Sequence, residues 1–357
     1  MWRPTTWRPT TWRAAPVWVV ALLLGGLCLG GVGGGGCGGE TKRLQPPPAR
    51  AEKLVAERDL AFLPSGSDLL IWVDIKRLRR WPPAQKLLSS EQPGSPGSPT
   101  SGLVKEFQKI YGLDPWKELE VVVLTAPLRG EKRSLRLVLR GPDLEKKLTP
   151  RLLEVLGRSG KIKKSRYQKK PIFEVGPMCV GFADAKTVLS ASGVWVRRAL
   201  DLASGEKEER LLAEDGLKDL WARLSSQRLG GAPAAMGVAR LPDALAKKVA
   251  KEMKIGVLLK WVGIRISVNS WMSVVGVVRA PDSQEARKVV KGAEKWANAF
   301  VARSWVRRLG IGGLTKLLHV HSEGPLVYFQ FALPNSLFIK LMDLFKRHYP
   351  SSPSARN

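Results

Sequence analysis

The chain has 357 residues, 44% hydrophobic and 25% charged, the proportions of a globular protein rather than a disordered or fibrous one. That length accommodates one large or two medium domains. The formal net charge is +28, and three cysteines are too few for a disulfide-stapled scaffold.

The start is basic. Arg3, Arg8 and Arg13 stand in a repeat, Trp-Arg-Pro-Thr-Thr, that occurs at 2–6 and again at 7–11, and no acidic residue comes before Glu40. A polar repeat this short buries no core. A basic flank, an apolar run and then small residues is the layout of a secretory signal. A permanent membrane span is the competing reading, because residues 14–39 are uncharged and a span takes about 20 apolar residues. Against it stand ten glycines among residues 25–39, each disfavouring a water-exposed helix by about 1 kcal/mol relative to alanine. Either reading places everything after residue 40 outside the cytoplasm.

The stretch Gly34-Gly-Gly-Cys37-Gly-Gly resembles the lipobox of bacterial lipoproteins, with small residues at 35 and 36 and a glycine at 34 where leucine is usual. The resemblance implies lipidation at Cys37. Cys28 fits less well, since bulky Leu27 precedes it. Residues 1–37 are then a signal peptide with lipobox, and 38–58, with Pro46, Pro47 and Pro48, a flexible tether. An uncleaved anchor and a plain signal peptide stay open beside lipidation.

From residue 59 strand and helix signals alternate. Residues 68–75 read as a strand leading into a polar–apolar segment at 76–88. The Ser/Pro/Gly-rich stretch 89–102 is a loop. Residues 103–111 have helical spacing. Residues 120–126 and 134–140 form a hairpin, in which Leu135, Leu137 and Leu139 alternate with Arg136, Val138 and Arg140. Residues 143–156 make an amphipathic helix with Leu144, Leu148 and Leu152 on one side and Pro150 inside it. Short strands at 172–175, 179–183 and 188–192 precede a helix at 194–204. Residues 211–226 read as a helix.

The second half repeats the order: strand 235–240, helix 242–253, hairpin 261–269 and 272–279, helix 282–302, hairpin 317–322 and 326–333, helix 335–348. Residues 350–357 form a loose tail. Arg140-Gly-Pro-Asp143 and Arg279-Ala-Pro-Asp282 correspond in the two halves, each aspartate placed to cap the helix after it. The expected fold is α+β: two tandem related β-α-β-β-α units, 59–210 and 231–349, with antiparallel sheets and helices packed on one face. A helical connector at 211–230 joins them.

The segments Leu63-Pro-Ser-Gly-Ser-Asp-Leu-Leu-Ile-Trp-Val-Asp74, Gly112-Leu-Asp-Pro115 and Ala199-Leu-Asp201 followed by Gly205 resemble secreted proteins of environmental bacteria, especially myxobacteria and their relatives. Over residues 60–340 the resemblance implies an exported lipoprotein of two α+β halves. It implies no particular activity.

Candidate chemistry is sparse. The densest basic run holds Lys161, Lys163, Lys164, Arg166, Lys169 and Lys170, the candidate anion-binding residues, each worth about 1 kcal/mol near an anionic bilayer. His319 and His321 share one face of a strand and are the metal-ligand candidates, with Glu323 able to continue the row. The simpler arrangement has Leu318 and Val320 in the core and both histidines in water. Cys179, in an apolar run, reads as a small buried hydrophobe. No Gly-x-Ser-x-Gly elbow and no nucleotide loop occurs; Gly310-Ile-Gly-Gly313 lacks the lysine–serine/threonine ending. No catalytic set, cofactor or nucleic-acid module is expected. The expectation is a non-enzymatic binding or structural protein of the bacterial cell envelope, membrane-attached and facing the periplasm or exterior. Its basic surface suits anionic lipid, lipopolysaccharide or polysaccharide. The alternative is an extracytoplasmic hydrolase whose site is assembled from residues distant in sequence.

Overall fold

The computed structural model describes residues 59–90, 107–108, 111–128, 135–159, 162–205, 215–227, 231–252, 255–301 and 317–340. The fold is α+β, framed by one antiparallel sheet of twelve strands. In chain order these are β1 Leu69–Asp74, β2 Val121–Ala126, β3 Arg136–Arg140, β4 Ile162–Tyr167, β5 Lys170–Val175, β6 Met178–Asp184, β7 Thr187–Ala191, β8 Pro233–Arg240, β9 Trp261–Val268, β10 Trp271–Arg279, β11 Leu318–Glu323 and β12 Leu326–Pro334. Across the sheet they lie in the order β11-β12-β10-β9-β8-β1-β2-β3-β7-β6-β5-β4. The helices are α1 Ile75–Arg80, α2 Pro82–Ser90, α3 Pro115–Glu118, α4 Leu144–Ser159, α5 Gly193–Ala203, α6 Asp215–Ser226, α7 Asp243–Glu252 and α8 Ser283–Val301. Residues 335–340 are also helical.

Strand alternation explains the layers. On one face Leu70 and Trp72 of β1, Val138 of β3 and Leu189 of β7 meet Trp195, Val196 and Leu200 of α5 and Leu217, Leu220 and Trp221 of α6. On the other, Leu139, Val188, Phe173 and Phe182 meet Leu144, Leu148 and Leu152 of α4. Further along that second face, Val278 and Val327 meet Ala286, Val289 and Ala293 of α8 and Ala250 of α7. The same side holds α1 and α2, through Ile75 and through Trp81 and Ala84 against Ala234 and Val268. Helices therefore cover both faces, which corrects the expectation of one. The reason lies in the strands: β3 and β6 are apolar on consecutive positions (Val138 and Leu139, Cys179 and Val180), so neither face can be left to water.

Most expected elements form within a residue or two of their predicted bounds. One strand was not expected. The basic run folds as β4, the sheet's edge, hairpinned to β5, and its lysines guard that edge against pairing with another chain. The turn between them places Gln168 at φ 48° and Lys169 at φ 65°, the left-handed pair of a tight two-residue hairpin. Neither residue is glycine, so the turn is held from outside. Tyr167 Oη and Gln168 Nε2 donate to the two carboxylate oxygens of Asp201 on α5 (3.1 and 2.7 Å), and Ser204 Oγ donates to Gln168 Oε1.

Asp282 caps as expected, accepting from Glu285 N at 2.8 Å. Asp143 instead adopts φ 54°, outside the extended geometry of a capping residue. Asp59 and Arg265 both lie deep on the α5 face. Asp59, 2% exposed, accepts from Arg140 Nη1 at 2.6 Å and from Trp72 Nε1 at 3.0 Å. Arg265, 3% exposed, donates to Leu224 O and Ser225 O at the end of α6, to Gly231 O, and to Ser267 Oγ. It closes off carbonyls that the end of a helix leaves without partners.

Candidate functional site

The basic candidates do not form one surface. In the β4–β5 hairpin Lys163 stands opposite Glu174 and Tyr167 opposite Lys170, whereas Lys164 stands opposite Phe173 and Arg166 opposite Pro171. Directly opposed residues share a face, so Lys163 and Lys170 point to the α5 side and Lys164 and Arg166 to the α4 side. Lys164 Nζ lies 5.9 Å from the centre of the Phe173 ring, and Lys169 sits in the turn. Lys161 falls outside the described residues. The pleat thus divides the run, and it builds no convergent anion site.

A larger charge asymmetry exists between the helix layers. On the α4 side, α1–α4, α7 and α8 carry seventeen lysines and arginines and seven acids, a net of +10 (17 minus 7). On the α5 side, α5 and α6 carry four and three, a net of +1 (4 minus 3). The steepest local contribution is α1, whose Lys76, Arg77, Arg79 and Arg80 occur in six residues with no acid. On α7 and α8 the cations fall on the solvent side, because Ala246 and Ala250, and Ala286, Val289 and Ala293, take the inward positions. No single sequence run reveals this layer. It comes from which helices the topology sends to which face.

The two histidines sit on the opposite edge strand, β11. His319 is opposite Gln330 and His321 opposite Tyr328, with the His321 ring stacked on Tyr328 at 5.1 Å and its Nε2 3.7 Å from Glu323 Oε1. Leu318 and Val320 pack into the core on the other side. Among the described residues no group of three or more His, Cys, Asp or Glu is placed to hold a metal ion. Cys179 is buried, and burial, followed by the nearby Glu174, pushes its thiol up to about 11. At neutral pH it stays protonated, a poor nucleophile. Cys37 falls outside the described residues. Among the described residues no helix is long and apolar enough to cross a membrane.

The motif residues singled out in the sequence act on the backbone. Asp68 Oδ2 accepts from Leu128 N, and Asp74 caps α1 through Arg77 N at 2.7 Å. Asp114 caps α3 by accepting from Trp116 N, and its own amide donates to Glu118 Oε2. Gly112 adopts φ 64°, and a side chain there would meet Arg151 Nη1 at 1.9 Å. Gly205 adopts φ 89°. Each of these residues is explained by folding, and none of them converges on a reactive centre.

No protein-family model matches the chain, and no curated protein sequence does. Solved structures that it resembles include crystal forms of TP0453. Form III matches with a TM-score of 0.43 at 8% identity over 80% of this chain and 97% of that one. Form I matches with a TM-score of 0.42 at 10% identity over 80% and 96%. A likeness at that level transfers neither topology nor function.

Among the described residues two buried indole groups, Trp195 Nε1 and Trp221 Nε1, have no hydrogen-bond partner, both in the apolar α5-side core. They differ from Trp72, whose indole reaches Asp59. Both pack among apolar side chains and leave a donor unsatisfied.

Proposed function

We propose that the chain is a non-enzymatic, envelope-tethered binding protein that lays its α4-side helix layer against an anionic surface outside the cytoplasm. The observation that carries this reading is the charge asymmetry, +10 on one helix layer and +1 on the other. Each cation brought near an anionic lipid surface contributes about 1 kcal/mol, falling off within a Debye length. A reading as two tandem related units fits the strand order. β1-β2-β3-β7-β6 and β8-β9-β10-β12-β11 run outward from the central β1–β8 pair in corresponding steps, with β4 and β5 added to the first.

The leader supports attachment through a lipid on Cys37 after signal cleavage. From Cys37 to Asp59 is 22 residues, a tether with a reach of about 75 Å when extended, enough for the layer to turn back onto the same membrane. Replacing Cys37 by alanine should abolish metabolic labelling with palmitate. Label that persists in the variant removes Cys37 as the site.

The surface reading is tested by sedimenting the chain from residue 59 onward with vesicles. Binding should occur with phosphatidylglycerol, be absent with phosphatidylcholine, and fade as salt is raised. Lys251→Glu on α7 should weaken it about tenfold, and Lys218→Glu on α6 less than twofold. No binding at low salt, or equal losses from the two reversals, defeats the reading; binding to acidic polysaccharide in its place would reassign the partner.

A further inference from the structure

We infer that the outer edge of β4 takes an acidic, extended segment of a partner protein as an added strand. The inference goes beyond the surface reading, because this partner enters in the plane of the sheet rather than against its α4-side helices.

β4 ends the strand order of the sheet, and among the described residues no strand lies beyond it. Sheet edges are ordinarily blunted by shortness, proline, a bulge or charge. β4 has six residues, none of them proline, and it pairs with β5 in unbroken register. Charge is the device it uses, with Lys163, Lys164 and Arg166 all exposed. A guard made of cations repels strands of like sign and admits those of opposite sign.

The hairpin decides which residues face the incoming strand. Antiparallel partners alternate between pairs that exchange backbone hydrogen bonds and pairs that do not. The two-residue turn at Gln168 and Lys169 makes Tyr167 and Lys170 the first bonded pair, and Ser165 and Lys163 continue the bonded series. Lys164 and Arg166 fall between them, with N–H and C=O turned away from β5. Pro171 stands opposite Arg166, and a residue without an N–H suits that unbonded position. The edge therefore offers its backbone at two cations.

Both of those side chains stand on the α4 side, the side of the helix layer with net charge +10. Across the pleat, Lys163 already faces Glu174 on β5. An entering strand thus meets unmatched positive charge on one face, which selects acids at alternate positions. Asp201 and Ser204 hold the turn through Tyr167 and Gln168, so the edge is ordered before its partner arrives. A second copy of the chain is a poor occupant, since edge-to-edge pairing would set Lys164 and Arg166 against their own counterparts.

The test uses the full chain in phosphatidylcholine nanodiscs and a fluorescein-labelled octapeptide of alternating threonine and glutamate. Anisotropy should show saturable binding, one peptide per chain. Methylating the glutamate nitrogens removes the peptide's donors and keeps every charge, and should raise the dissociation constant about tenfold. Binding should slow amide exchange at Lys164 and Arg166 and leave Ser165 unchanged. The double reversal Lys164→Glu with Arg166→Glu should weaken this peptide about tenfold and favour its threonine–lysine counterpart. Lys251→Glu on α7 should change the constant less than about twofold. Absence of saturable binding overturns the inference, as does equal binding of the methylated peptide, a folded reversal variant that binds like wild type, or a dimer of the chain alone that the reversal dissolves. The methylation arm needs no protein variant, so it decides the matter if the reversal misfolds. Vesicle docking without peptide binding removes the edge inference alone, and peptide binding without salt-sensitive docking removes the surface reading alone.

Discussion

Arg265→Met should destabilise the fold by about 3 kcal/mol, seen as a lower urea midpoint at unchanged slope. The guanidinium holds together three things that sequence keeps apart: the last carbonyls of α6 at Leu224 and Ser225, the loop carbonyl of Gly231, and Ser267 on its own strand. Methionine keeps most of the volume but donates nothing. Each buried carbonyl left without a partner loses about 1–3 kcal/mol, while removing a buried charge returns part of that. The deficit dominates because several acceptors depend on one fork. Arg265→Lys should recover little, since a single ammonium cannot span carbonyls from two segments. Burial, then Arg77 nearby, lowers this guanidinium from its ordinary range to about 10. The folded chain thus loses the proton before the unfolded one does, and this group raises stability only as pH climbs above about 10. Between pH 5 and 9 the loss in the methionine variant should therefore be flat. A variant within about 0.5 kcal/mol of wild type would mean that those carbonyls find other partners.

How far the sequence foretold this arrangement depends on what kind of information each feature needs. β3 was readable because Leu137 and Leu139 alternate with Arg136 and Arg140, and α4 because Leu144, Leu148 and Leu152 recur at helical spacing. β4 was hidden because three cations in six residues, Lys163, Lys164 and Arg166, erase the alternation that marks a half-buried strand. The choice of face for each helix was not readable at all. The apolar stripe of α5 would look the same packed on either side of the sheet.

Strand order was equally hidden, since β1 pairs with β8 and sets Trp72 beside Met236, a contact no local pattern encodes. The charged layer follows from these two choices, so the basic run could be seen in the sequence while the basic face could not. The role of Arg265 is hidden in the sequence for a related reason. In Trp-Val-Gly-Ile-Arg-Ile-Ser-Val an arginine between isoleucines looks like the wet side of a strand, and only the end of α6 above it makes the site dry.

Asp59→Asn should destabilise by about 3 kcal/mol, the scale for removing one partner of a buried ion pair. The side chain of Asp59 is 2% exposed and that of Arg140 19%, so the arginine cannot turn to water without disturbing its surroundings. Asparagine keeps the shape and can still accept from Trp72, which isolates the charge. The pair fixes the beginning of the described chain to the middle of the sheet. Behind it Leu60 and Leu63 are buried in the α5-side core, and in the asparagine variant their amides should exchange faster than those of β1. A double-mutant cycle with Arg140→Met separates pairing from packing. If the ion pair is the origin, the double variant should regain at least 1 kcal/mol over Asp59→Asn alone, since no charge is then left buried without its partner. Strict additivity would instead locate the loss in the packing of each residue. The strand-to-segment link also bears on the proposed anchor. Any pull along a tether ending at residue 58 reaches the fold first through Asp59, and a variant that loosens this pair should release residues 59–63 from the sheet before the sheet itself yields.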